Sequence, residues 1–183
     1  MVYNTSSFND GSTDLKRMVF AALFASLTAV GAYVKVPLPV SPVPVTMQVF
    51  FVLLAGSMLG SRWGTISMVV YLLLGITGFP IFAGGSSGIG VLFGPTGGYL
   101  AGFVFAAFVT GKLLEILPQH SILINFLCMI IGLIIIYSFG AFRLMSVAHL
   151  TFQQTMIAGI LPFIIGDMAA LVLAAFISVR YEV

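Results

Sequence analysis

Apolar residues run almost unbroken along this chain, and the interruptions between them define its elements. Six apolar segments can be drawn, at about Leu15 to Val36, Val45 to Leu59, Thr65 to Phe79, Gly97 to Leu117, Ser121 to Phe142 and Pro162 to Val179. A straight bilayer crossing takes roughly 20 apolar residues. The pattern therefore predicts an all-α, polytopic membrane protein with six transmembrane helices. The second and third segments are short, and are expected to be extended by flanking residues or shielded by neighbours. Pro162 has no N–H to lose and suits the first turn of a helix, so the last crossing starts there. His149 to Leu161 then becomes an external approach, with a short helix lying across the top. The polar residues 1–14 are expected to be a disordered N-terminal segment, leaving a six-helix membrane substrate-binding domain over 15–183.

Composition agrees. Of 183 residues, 60% are hydrophobic and 7% charged, against about 25% charged in a soluble domain. A net charge of +2, scattered along the chain, does not suit nucleic-acid binding. The single cysteine, Cys128, lies in an apolar run and reads as a small core residue.

Charge placement sets an orientation. With the N-terminus cytoplasmic and six crossings following, Lys16, Arg17, Arg62, Lys112 and Arg180 lie inside, and Lys35 and Arg143 outside. Five against two agrees with the positive-inside rule and places both termini in the cytoplasm. The connection at Pro37 to Pro44, the glycine-rich stretch after Phe79 and the approach to the last helix then share the outer face, which suggests a single external mouth.

Two of those connections are unusual. Gly84, Gly85, Gly88, Gly90, Gly94, Gly97 and Gly98 fall within fifteen residues. Glycine contributes no packing and loses much backbone entropy on ordering, and irregular backbone at a bilayer needs a wet cavity or a ligand to satisfy it. The other connection holds four of the eight prolines, Pro37, Pro39, Pro42 and Pro44, which stiffen it into a wall or lid. Asp167 is the one acidic residue placed away from the cytoplasmic end of a crossing, Glu115 lying near the end of the fourth. Such a charge is costly, must face the bundle interior and needs a partner. As an ionised carboxylate it accepts hydrogen bonds only, so N–H groups or a cation suit it. A bond to an intramembrane Ser, Thr or Tyr is the structural alternative. The candidate site set is Asp167 with Tyr99, Gly98, Gly97, Thr96, Gly84, Gly85, Ser86, Thr46 and Gln48. Ser87 is a further polar candidate, and Phe82 and Phe93 are candidate apolar walls.

Small residues recur at helical spacing: Ala21, Ala25 and Ala29 on the first helix, Gly56 with Gly60, and Gly98 with Gly102. Such spacing lets helices approach closely in lipid. Most of it is expected to serve internal packing, with the terminal first helix the candidate for contact with another protein. Some chemistries are missing. No phosphate-binding loop occurs, His120 and His149 stand alone, and no catalytic triad is visible. Neither an enzyme nor a cofactor or metal site is expected.

Four blocks, in order, carry a family resemblance: Pro-Val-Pro-Val-Thr-Met-Gln at 42–48, Gly-x-x-Gly-Phe-Pro-Ile-Phe-Ala-Gly-Gly at 75–85, Gly-Pro-Thr-Gly-Gly-Tyr-Leu-x-Gly-Phe at 94–103, and Pro-Phe-x-x-Gly-Asp at 162–167. They resemble the BioY family, the biotin-binding S components of energy-coupling factor (ECF) transporters. The resemblance covers nearly all of the chain after Lys16. It implies a six-helix subunit that captures biotin near the outer surface. It also implies a transmembrane coupling protein and two cytosolic ATPases as partners, with the first helix docking through Ala21, Ala25 and Ala29. Family members commonly carry a lysine three residues after the aspartate, where this chain has Ala170, so the partner of Asp167 and of a ligand carboxylate stays open. Two other readings stay open as well: an S component for another small vitamin, and a stand-alone facilitator or proton-coupled carrier.

Overall fold

The structure, a computed structural model, describes residues 6–39, 41–117 and 121–181, with side chains from Asp14 onward. In chain order these form α1 (Ser6–Tyr33), β1 (Lys35–Val36), β2 (Val45–Thr46), α2 (Gln48–Ile76), α3 (Gly90–Phe93), α4 (Gly97–Ile116), α5 (Ile122–Ala148), α6 (Phe152–Gly159) and α7 (Leu161–Arg180). Helix α1 starts ahead of the Leu15 expected for the first segment. The disordered leader foreseen over 1–14 falls in part on residues 1–5, outside the described residues, as does His120.

Helix α2 is not one rod. In a continuous helix Gln48 and Tyr71 would lie about 35 Å apart. Instead the Gln48 side-chain amide donates to the Tyr71 hydroxyl at 2.5 Å. A Cβ on Gly64 would stand 2.9 Å from the Gly56 Cα, although eight residues of straight helix would separate them by about 12 Å. The chain therefore doubles back at Gly60, whose φ of 75° and ψ of −179° break the helix. This backbone region is open essentially to glycine alone. Two antiparallel arms result, residues 48–59 and 61–76. The second starts at Ser61, not at Thr65, because one glycine completes the turn. Glu115 closes the turn from α4, its Oε1 accepting from the Ser61 N–H at 2.7 Å and the Ser61 hydroxyl at 2.8 Å. A carboxylate at a helix N-terminus satisfies free N–H groups and complements the dipole.

Contacts between elements fix the two ends of the bundle. The Tyr33 hydroxyl donates to the Pro80 carbonyl, the Gly84 N–H to the Ala32 carbonyl, Arg143 to the Phe93 carbonyl and the Tyr99 hydroxyl to the Gly159 carbonyl. The β-ribbon, the glycine-rich connection and α6 thus share one end, which we call the mouth end. The Gly60 turn shares the other end with Glu115 and with Asn125, which accepts from Ser57 and Ser178. Helix α6 lies in the approach to α7, opened by a Thr151–Gln154 capping box, and Pro162 falls in the first turn of α7.

Side-chain-poor positions set the helix spacing. A Cβ on Gly56 would stand 3.0 Å from the Ala107 Cα, and one on Gly102 2.9 Å from the Ile136 Cα. These close approaches join α2 to α4 and α4 to α5. Ala21 and Ala25 serve the same internal purpose. They are 4% and 3% exposed, and the Ser67 hydroxyl of the second arm of α2 donates to the Ala21 carbonyl at 2.7 Å. They face the chain's own core, not a partner, and Ala29 is half-buried beside them.

The outer surface is apolar instead. Leu23, Val30, Leu73, Leu127, Ile134, Val172 and Phe176 are all exposed, and Ile165 is 83% exposed. Five helices are long and apolar enough to cross a bilayer: Asp14–Tyr33, Gln48–Ile76, Gly97–Ile116, Ile122–Ala148 and Leu161–Arg180. An apolar skin of this extent needs lipid around it, and the chain is an all-helical, multi-pass membrane protein. Because Gly60 alone makes the reversal, Gly60→Ala should destabilise the protein by about 1–3 kcal/mol. Thermal unfolding in detergent checks this, and a melting temperature equal to the parent's would contradict the single-residue turn.

Candidate binding cavity at the mouth end

Near the start of α7 the sequence places a carboxylate one and a half turns into a helix that is otherwise apolar. Packing turns it inward: Asp167 is 5% exposed. Its Oδ2 accepts from the Tyr137 hydroxyl of α5 at 2.6 Å. No other donor among the described residues bonds this carboxylate, and its second oxygen is left to a cavity that Asp167 and Tyr137 both line. The cavity holds about 560 Å³ of empty space, including its open mouth.

Its walls come from the two mouth connections and from α2, α4, α5 and α7. The proline-rich connection supplies Val43, Pro44 and Val45, the glycine-rich one Phe82 and Ala83, α4 Leu100 and Phe103, and α7 Phe163. Polar groups are few: Thr46, Gln48, Thr96, Tyr99, Tyr137 and Asp167. Five of the ten sequence candidates therefore converge here. Gln48 is held at both ends of its amide, accepting from the Thr46 hydroxyl at 3.2 Å and donating to Tyr71. Tyr71 in turn donates to the Ile81 carbonyl at 3.1 Å. Thr96 precedes α4 without spending its hydroxyl on a helix cap. Tyr99 contributes its ring, while its hydroxyl is committed to the Gly159 carbonyl at 2.7 Å.

The other five candidates do not line the cavity, for reasons of packing. Gly97 and Gly98 are filled against neighbouring backbone: a Cβ would stand 1.9 Å from the Leu92 carbonyl oxygen and 2.2 Å from that of Phe139, respectively. Gly84, Gly85 and Ser86 form a tight turn on the outside, with the Phe82 N–H donating to the Ser86 carbonyl and the Gly85 N–H to the Phe82 carbonyl. The Ser86 hydroxyl bonds back to Ala83, and Ser87 is exposed. The turn's effect is indirect: it drives Phe82 to full burial, edge-on to Tyr71 at 5.6 Å between ring centres. Phe93 points away, 65% exposed.

Sequence reasoning missed Tyr137, Tyr71, Phe103 and Phe163. A tyrosine inside the apolar run of α5 was the available signal for Tyr137, because a buried hydroxyl needs a partner. Tyr71 carried the same signal. The two phenylalanines carried none among 17. A wider opening at the Gly60 end is lined by Arg17, Arg62, Glu115 and Asn125. There Glu115 is committed to Ser61 and to Lys112, 3.3 Å away, and none of the sequence candidates reaches it.

Known proteins resemble this arrangement. The BioY family profile matches residues 4–182. The biotin transporter BioY of Thermotoga maritima is 41% identical over 168 residues, covering 92% of this chain and 96% of the relative. The probable biotin transporter BioY of Pyrococcus horikoshii is 40% identical, covering 91% and 96%. The crystal structure of the S-component for biotin from an ECF-type ABC transporter superposes with a TM-score of 0.86 at 27% identity, over 92% of both chains.

The bond from Tyr137 to a carboxylate is charge-assisted, and such bonds contribute about 1.5–3 kcal/mol. Tyr137→Phe should lower the stability of the ligand-free protein by about that much while leaving it folded. Thermal unfolding in detergent measures the shift, and no shift would mean that Asp167 does not depend on this partner.

Proposed function

The chain belongs to the BioY family, and from that premise we propose that it is the biotin-capturing S component of an ECF importer. The observation that carries this reading is the cavity itself: apolar on nearly every side, with a buried carboxylate steadied at one end by Tyr137. Biotin has the matching distribution. Its ureido head presents two N–H donors and one carbonyl, and its thiophane ring and aliphatic tail are apolar. An ionised carboxylate can only accept, so the second oxygen of Asp167 takes a ureido N–H. The Gln48 amide and the Thr96 hydroxyl stand by for the carbonyl. Phe82, Phe103, Phe163 and the ring of Tyr99 enclose the ring and the tail.

Nanomolar capture needs about 12 kcal/mol. A cavity whose polar groups are already held in place loses little further entropy when it fills. The Thr46–Gln48–Tyr71–Ile81 chain and the Tyr99–Gly159 tie provide that hold.

We read the two arms of α2 as separate crossings, which makes six, with both termini cytoplasmic. The support is the charge distribution: Arg17 and Arg62 at the Gly60 end, with Lys112, and Lys35 and Arg143 at the mouth. The mouth then opens outside the cell. Energy for import comes from a transmembrane coupling protein with two cytosolic ATPases, and the chain itself needs no covalent step. The face of α1 left open for such a partner carries Ala22, Ser26 and Ala29. Ser26 bonds its own helix at Ala22, so a close approach there strands no polar group.

Asp167→Asn should weaken biotin binding by about tenfold to a hundredfold, the range for one lost charge-assisted bond, with folding preserved. A titration that finds affinity within about twofold of the parent would take Asp167 out of the site. Ser26→Trp should spare biotin binding and prevent co-purification with the coupling protein and ATPases; an intact complex would move the docking face elsewhere.

A further inference from the structure

A biotin carboxylate and Asp167 carry the same charge, which favours a tail running away from Asp167, where a cation would stabilise its end. Ala170, three residues along α7 from Asp167, brings none. Among the described residues two cations, Lys35 and Arg143, stand at the mouth end. Arg143 is engaged elsewhere: its Nη2 donates to the Phe93 carbonyl at 2.5 Å, and its guanidinium lies 6.0 Å above the Phe93 ring, which is not part of the cavity.

Lys35 is not among the residues that line the cavity, but two separate contacts place it beside the mouth. In the β-ribbon it pairs directly with Thr46. Thr46 and the adjacent Val45 both line the cavity, and Thr46 bonds Gln48. Across the mouth, the Lys35 ammonium lies over the glycine turn, where a Cβ on Gly84 would stand only 2.5 Å from Nζ. Gly84 follows Ala83, which lines the opposite wall. With φ at 75°, Gly84 holds a conformation that L side chains rarely adopt, and its bare Cα leaves the ammonium room. Lys35 thus spans the two loops that frame the entrance, and no carboxylate pairs with it among the described residues.

We propose that Lys35 is a specificity-determining residue that holds the carboxylate of the ligand's tail at the mouth, so that the chain selects the free acid over neutral derivatives. The proposal rests on the biotin reading given above. The ligand is then gripped at two ends of opposite charge: Asp167 takes the N–H groups of the head and Lys35 takes the tail.

The test uses the full chain in detergent or nanodiscs, titrated with biotin and with its neutral amide, biotinamide. The parent should prefer biotin by about tenfold, as one partly exposed charge-assisted bond allows. Rising salt should narrow that preference, because an exposed pair is screened. Lys35→Gln should weaken biotin about tenfold and leave biotinamide within about twofold, whereas Lys35→Arg keeps the preference. A Lys35→Gln protein that still prefers the acid overturns the proposal. Equal weakening of both ligands also overturns it, and would make Lys35 a support for the glycine turn only. If the unaltered chain binds neither ligand, the biotin reading falls and this assignment falls with it.

Discussion

A backbone inside hydrocarbon must keep its N–H and C=O groups bonded to itself, and every other feature here follows from that constraint. Helices satisfy it along the crossings, so irregular chain is confined to the two ends of the bundle. At the Gly60 end one glycine reverses the chain, and Glu115 takes up the N–H and hydroxyl of Ser61. Among the described residues, most of the non-helical chain is collected at the mouth end: the ribbon, the glycine-rich connection and the bend between α6 and α7. Loops gathered on one face can wall a cavity, and these do.

The cavity depends in turn on one buried charge. Asp167 is costly in an apolar helix, and the Tyr137 hydroxyl from the facing helix offsets part of that cost. The pairing leaves a fixed acceptor aimed into otherwise apolar space, which is the pattern of a site for a small molecule with a polar head. Around it, tyrosines do most of the tying. Tyr71 joins Gln48 to the glycine-rich connection, and Tyr99 joins α4 to the end of α6. Each presents an apolar ring to the core and spends its hydroxyl on another element. The glycines contribute differently. The turn at Gly84 to Ser86 touches no cavity surface, yet it sets the position of Phe82, which does.

Much of this is legible in the chain itself. The apolar segments, the inward-facing Asp167, the short helix before Pro162 and the blocks that mark the BioY family all follow from residue type and order. Thr46, Gln48, Thr96 and Tyr99 can be named as site candidates because polar residues at the ends of apolar segments are few. These features are local: a hydrophobic run or a proline acts through its immediate neighbours.

What only the tertiary structure decided is which side of each element faces which neighbour. Ala21 and Ala25 look like a docking stripe until the second arm of α2 is packed against them. Gly97 and Gly98 look like a ligand loop until Leu92 and Phe139 occupy the space their side chains would take. Tyr137 and Asp167 are 30 residues apart in sequence, and nothing in either segment specifies the other. The one-residue turn at Gly60 is of the same kind, since Glu115 of α4, 54 residues from Ser61, closes it. Sequence determines the elements through short-range chemistry, whereas the site is a set of long-range coincidences that exist only once the helices have packed.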